Sequence, residues 1–201
     1  MMAAAQSLMT ELDATLRKTP DSQHLVILRR VTDLFLVGAG SYTDEQIAIF
    51  DTVISRLIEK MDQAALVELS ARLAGIDNAP SKVVAHLSGS DNIAISGPTL
   101  EKSDTLSDQT LVEIAGKKSQ KHLAAIAGRV RISALVTDAL VDRANAEVSR
   151  KVTANLGATF SEIGFVKLIN RAKSDRDLAN AISKRGDLPD ELVPFLKLTL
   201  T

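Results

Sequence analysis

The residues able to do acid–base or metal chemistry are few and scattered. The chain of 201 residues has three histidines, His24, His86 and His122, and no cysteine. Two ligands on one helix face must lie three or four positions apart, and no pair of these histidines does. Each is therefore expected to be structural: His24 on the surface of an amphipathic helix, His86 within a short helix, His122 at the start of another. Without cysteine, a disulfide framework, a thiolate nucleophile and a thiolate metal site are excluded. Asp138 and Asp142 are one helical turn apart, a spacing suited to sharing a proton in general acid catalysis. Arg143 follows them and nothing else gathers around them in sequence, so a solvated helix face is the better reading. Asp44 and Glu45 read as carboxylates in the first turn of a helix, favoured there by the helix dipole. Gly38-Ala39-Gly40-Ser41 resembles a phosphate loop, but it lacks a preceding strand, a third glycine and the lysine that phosphate binding uses. The sequence assigns no catalytic, cofactor-binding or metal-binding residue, and the protein is expected not to be an enzyme.

Charge carries more information. The net charge is −1, from 24 basic and 25 acidic residues. Residues 1–116 hold 9 basic and 16 acidic residues, whereas residues 117–185 hold 14 basic and 6 acidic. A basic segment of this kind can face an acidic protein, a membrane head group or a nucleic acid. Aromatic residues for base stacking are nearly absent there, with only Phe160 and Phe165, and single-strand binders rely on such rings. Candidate interaction residues are Arg129, Arg150, Lys151, Asn155, Arg171, Lys184 and Arg185. Three of these, Arg129, Asn155 and Arg185, are expected to end the second helices of successive hairpins. There an arginine can pair with carbonyls of the next hairpin and an asparagine can cap.

The elements that position these residues read as helices. Apolar residues make up 45% of the chain, too many for a disordered segment, and aromatic residues only 3%. That balance favours helix over strand. Leu8, Met9, Leu12 and Leu16 form one helical face over residues 6–17. Leu25, Leu28, Val31 or Thr32, and Phe35 form the next, stopped at Gly38. Thr43 with Gln46 spells a capping box, and Asp62 is expected to cap a helix ending near Gly75. From residue 79 a motif recurs: Ala79-Pro80, Leu106-Ser107, Ile132-Ser133, Phe160-Ser161 and Leu188-Pro189. Each is a small or apolar residue followed by a helix-starting Ser or Pro. Leu87, Ile114, Leu140, Leu168 and Leu196 follow eight positions after each, about two turns on. A second helix fits each interval, as at 120–128, 146–155 and 175–184. Repeats of this length are helical hairpins that bury their apolar sides by stacking.

These residues resemble a known family. The order Val84-Ala85, Leu87, Leu100-Glu101-Lys102-Ser103, Leu106-Ser107-Asp108 and Leu111-Val112-Glu113-Ile114-Ala115 is one part. His122-Leu123-Ala124-Ala125-Ile126-Ala127, Arg129, Val136-Thr137-Asp138-Ala139-Leu140-Val141, Val148, Asn155, Phe165 and the closing Arg185-Gly186-Asp187-Leu188-Pro189 complete it. Together they resemble the bacterial domain of unknown function 2336, over most of residues 60–201. The resemblance implies an all-α, HEAT-like superhelix and supplies no catalytic residues.

The expectation is an all-α protein of about ten helices. Residues 1–60 would pack as N-terminal helices on a HEAT-like repeat domain at 61–201. The apolar end, residues 190–201, lacks the polar capping helix of a finished solenoid. It is expected either to be truncated or to meet another chain, which leaves room for a homo-oligomer through exposed repeat ends. No apolar run approaches the roughly 20 residues of a membrane span, and the order of residues is wrong for a signal peptide. A cytoplasmic protein–protein interaction scaffold is the first functional expectation. Nucleic-acid or polyanion binding through residues 117–185 is the alternative.

Overall fold

A computed structural model of the chain describes Ala14 and residues 21–200. The helix expected over residues 6–17 lies, apart from Ala14, outside the described residues. Those described form twelve α-helices and two short 3-10 turns. They contain no strand, only one isolated parallel bridge between Ile132 and Ala158. The all-α class is as expected, with more helices than the ten anticipated. The chain divides into two compact units. One ends at Thr99 and includes Ser103–Thr105; the other takes Leu100–Lys102 and residues 106 onward.

The first unit begins with α1 (Asp21–Gly38), which packs on α2 (Asp44–Ile58). Helix α1 buries His24, Leu28, Thr32 and Phe35. Leu28, Thr32 and Phe35 are the stripe expected, but its first member differs: His24 is inside rather than on the surface, and Leu25 is half-buried. The Thr32 hydroxyl donates to the Leu28 carbonyl at 2.8 Å, so the core accepts a threonine. Thr43 and Gln46 form the expected capping box at the start of α2. Asp62 accepts the Ala65 amide at 2.8 Å and caps α3 (Gln63–Leu73). Helix α4 (Ser81–Ser88) follows Pro80, which offers no side-chain cap. Its first amides are satisfied from α2 instead, where the buried Asp51 carboxylate accepts from Lys82 N at 3.1 Å and Val83 N at 2.9 Å. Helix α5 (Ile93–Lys102) begins in this unit with Asn92 as its cap.

The second unit holds α6 (Asp108–Lys117), α7 (Gln120–Ala127), α8 (Ala134–Arg143), α9 (Ala146–Ala154), α10 (Glu162–Ala172), α11 (Arg176–Ser183) and α12 (Val193–Leu200). Helices α6 and α7, α8 and α9, and α10 and α11 are neighbours in sequence that touch one another. Contacts then run α6 to α8 to α10 to α12, and α7 to α9 to α11. The hairpins are therefore stacked, first helix on first helix and second on second. The recurring serines do what their spacing predicts. Ser107, Ser133 and Ser161 cap α6, α8 and α10, accepting the amides of Thr110, Val136 and Gly164. The residues eight positions after each motif are all buried: Leu87, Ile114, Leu140, Leu168 and Leu196.

Candidate interaction surface

The polar residues of the second unit fall into two groups, those that tie hairpin to hairpin and those that face outward. The ties follow the repeat. Arg129 is 7% exposed, and its guanidinium donates to the Leu100 carbonyl at 2.8 Å. Asn155 Nδ2 donates to the carbonyls of Ala127 and Arg129 at 3.0 and 2.7 Å. Arg185, also 7% exposed, donates to the carbonyls of Thr153, Asn155 and Ala158 at 3.0, 2.9 and 2.6 Å. Its charge is balanced by Asp187 at 2.7 Å, and its guanidinium lies 4.6 Å over the Phe160 ring. Helices end with unpaired carbonyls, and these side chains fill them. The acceptors belong to the preceding hairpin, not the next one as the sequence suggested.

A second ladder runs along the first helices. Arg143 donates to the carbonyls of Ala115 and Lys118 at 2.5 and 3.1 Å. Arg171, 28 residues later, donates to the Ala144 carbonyl at 2.7 Å and the Ser149 hydroxyl at 2.9 Å. Between α8 and α10, Ser161 Oγ donates to Asp138 at 2.7 Å, and Lys167 pairs with Asp142. The two aspartates that suggested acid catalysis are thus separate contacts to the next hairpin. Gly164 permits the first of them, since a Cβ there would stand 2.7 Å from Asp138 Oδ1.

Arg150 meets both carboxylate oxygens of Asp175 at 2.9–3.0 Å. Burial works to raise the Asp175 carboxyl, but the Leu178 amide and the Arg150 guanidinium outweigh it and hold the group below the ordinary range. The hydrogen bond to Asp175 in turn raises Arg150. Of the seven candidate residues, Arg129, Asn155, Arg171 and Arg185 thus use donors on internal carbonyls, and Arg150 is ion-paired. Lys151 and Lys184 are exposed. Among the described residues, no group of three or more His and carboxylate side chains is placed to hold a metal ion. His122 is buried, with Nδ1 2.8 Å from Ser119 Oγ.

The outward face shows a feature that charge counting missed. Val130 and Leu156 are 86% and 80% exposed, and Leu135 and Ile163 are 57% and 65% exposed. Val130 and Leu156 occupy equivalent loops between hairpins; Leu135 and Ile163 occupy equivalent first turns of α8 and α10. The two loops are drawn together by the Ile132–Ala158 bridge, with Ile132 N donating to the Gly157 carbonyl at 3.0 Å. A Cβ on Gly157 would fall 1.9 Å from the Val130 carbonyl oxygen, so only glycine fits. The signal in the sequence is partial: the 28-residue register matches Leu135 to Ile163, while Val130 and Leu156 fall on Ala158 and Gly128.

These features define an all-α protein whose second unit is a stack of short helical hairpins tied by arginine and asparagine. A family model described as an uncharacterised protein conserved in bacteria (DUF2336) matches residues 95–196. The chain belongs to that family. The matched span starts within α5, later than residue 60, and runs to Leu196 in α12. No curated protein and no solved structure matches the chain.

Proposed function

We propose that the chain is a non-enzymatic, HEAT-like helical-repeat scaffold that holds a protein partner in the bacterial cytoplasm. One observation carries this reading: Leu135 and Ile163 expose large apolar side chains at repeat-equivalent positions, and Val130 and Leu156 expose theirs in the loops just before the same two helices. Apolar side chains grouped on a surface mark interaction sites more often than scattered ones do, and repeat proteins commonly bind along their stacked edges. The absence of a long apolar helix among the described residues agrees with a role away from the bilayer core.

The test is site-specific photo-crosslinking in cells, with the probe at Leu156 and, as a control, at exposed Glu113. The expected result is one discrete protein adduct from position 156, lost in the Leu135→Glu/Ile163→Glu double variant. No adduct at 156, or an adduct indifferent to that variant, overturns the reading. The polyanion alternative has less support, because Arg129, Arg143, Arg150, Lys167, Arg171 and Arg185 already engage internal partners. Its measurement is fluorescence anisotropy with duplex DNA and RNA at low salt, where phosphate attraction is strongest.

A further inference from the structure

The last joint of the stack, between α10 and α12, is built differently from the one before it. Ser133 and Ser161 set the register, 28 residues apart. In that register Asp138 and Asp142 of α8 correspond to Val166 and Asn170 of α10. Ser161, Lys167 and Arg171, which reach back to α8 and the residues just after it, correspond to Pro189, Phe195 and Thr199. Each polar tie of the α8–α10 joint is therefore replaced. Where α10 closes on α8, α12 leaves a groove of about 510 Å³ against α10.

The groove is lined mainly by apolar side chains, with Asn170, Lys173 and Thr199 as its polar members. Phe195 and Leu198 are 59% and 75% exposed although both line it. Lys173 is the one charged residue in the lining. It is exposed, and none of the ion pairs among the described residues involves it. Ligand pockets span roughly 300–1,000 Å³, mostly apolar with a few polar groups that fix orientation. A groove of this size with one cation at its edge suits a small molecule better than a flat apolar face would.

We propose that the α10–α12 groove binds a free amphiphile with an apolar chain and a single carboxylate. The chain lies against Val166, Phe195 and Leu198, and the head group meets the Lys173 ammonium. This site is independent of the apolar edge formed by Val130 and Leu156, so the failure of one reading leaves the other standing.

Isothermal titration of the full chain with decanoate, decan-1-ol and decyltrimethylammonium, each below its micelle concentration, tests the site. Decanoate is expected to bind at one saturable site about tenfold tighter than the alcohol, the factor that one charge-assisted contact supplies. The cationic amphiphile is expected to bind weaker than the alcohol. Lys173→Met should bring decanoate down to the alcohol's affinity, while Lys197→Met leaves it unchanged. Leu198→Glu should remove binding of all three, with an unaltered melting curve, because that side chain is already largely exposed. Three outcomes overturn the proposal: no saturable decanoate binding, decanoate affinity unchanged in Lys173→Met, or sedimentation showing a dimer that Leu198→Glu dissociates. The last would assign the groove to a second copy of the chain.

Discussion

Arg185 is nearly buried, and its guanidinium holds three carbonyls from the preceding hairpin as well as Asp187. Replacing it with methionine keeps much of the side-chain bulk over Phe160 but strands those carbonyls. Loss of one partner from a buried charged network costs about 3 kcal/mol. Arg185→Met is expected to lower unfolding free energy by that amount in urea titration, whereas Lys184→Met, at the exposed neighbour, should stay within about 0.5 kcal/mol. Equal effects would show that Arg185 carries no structural tie. Gly157→Ala should cost about 2 kcal/mol by forcing apart the loops that the Ile132–Ala158 bridge joins. At this scale the sequence was partly legible. The spacing of Arg129, Asn155 and Arg185 identified them as a set, but not which hairpin supplies their acceptors, because spacing has no direction. His24 was misplaced for a related reason. Periodicity located the face to within one residue, and His24 rather than Leu25 is the member that is buried.

Helix starts were the most legible elements, since a cap is a local device whose residue type is visible in the sequence. Ser133→Ala is expected to cost about 1 kcal/mol, the usual worth of an N-cap. Ser161→Ala should cost about 2 kcal/mol, because Ser161 also donates to Asp138. Comparing the two melting curves isolates the tie between hairpins. The cap of α4 was not legible: Asp51 lies some thirty residues before the amides it accepts, and only tertiary packing brings it there. The start of α11 carries a pH dependence. Asp175 is held below its ordinary pKa, so its charged form favours the folded state. That contribution is fully present above the unfolded value of about 3.9. It is lost as pH falls through the lower folded value. Asp175→Asn keeps an N-cap and removes the titration, so its stability should fall less steeply than wild type below about pH 4. Parallel acid limbs in the two proteins would show that Asp175 contributes no such dependence.

At the scale of the whole molecule, stability in a stack depends on neighbours, and end repeats have fewer. Within the second unit, α8 and α9 have hairpins on both sides, while α12 meets α10 and α11 and has no counterpart of the Ser161–Asp138 and Lys167–Asp142 ties. Hydrogen exchange read by mass spectrometry should show slowest exchange in α8 and α9 and fastest in α12. Equal protection in α8 and α12 would contradict this. The near-zero net charge was a poor guide at this scale, because it averages an acidic first half with a basic segment in which Arg129, Arg143, Arg171 and Arg185 donate to carbonyls. The ties have a further property. Arg129, Arg143, Asn155, Arg171 and Arg185 all follow their carbonyl acceptors in sequence, by 25 to 32 residues. During synthesis the N-terminal part of a chain emerges first. Each new hairpin leaves the ribosome with open carbonyls and is finished only when its successor arrives with the matching donor. Completion therefore travels one way along the nascent chain, and ribosome-stalled chains of increasing length should gain protease resistance in steps of about one hairpin.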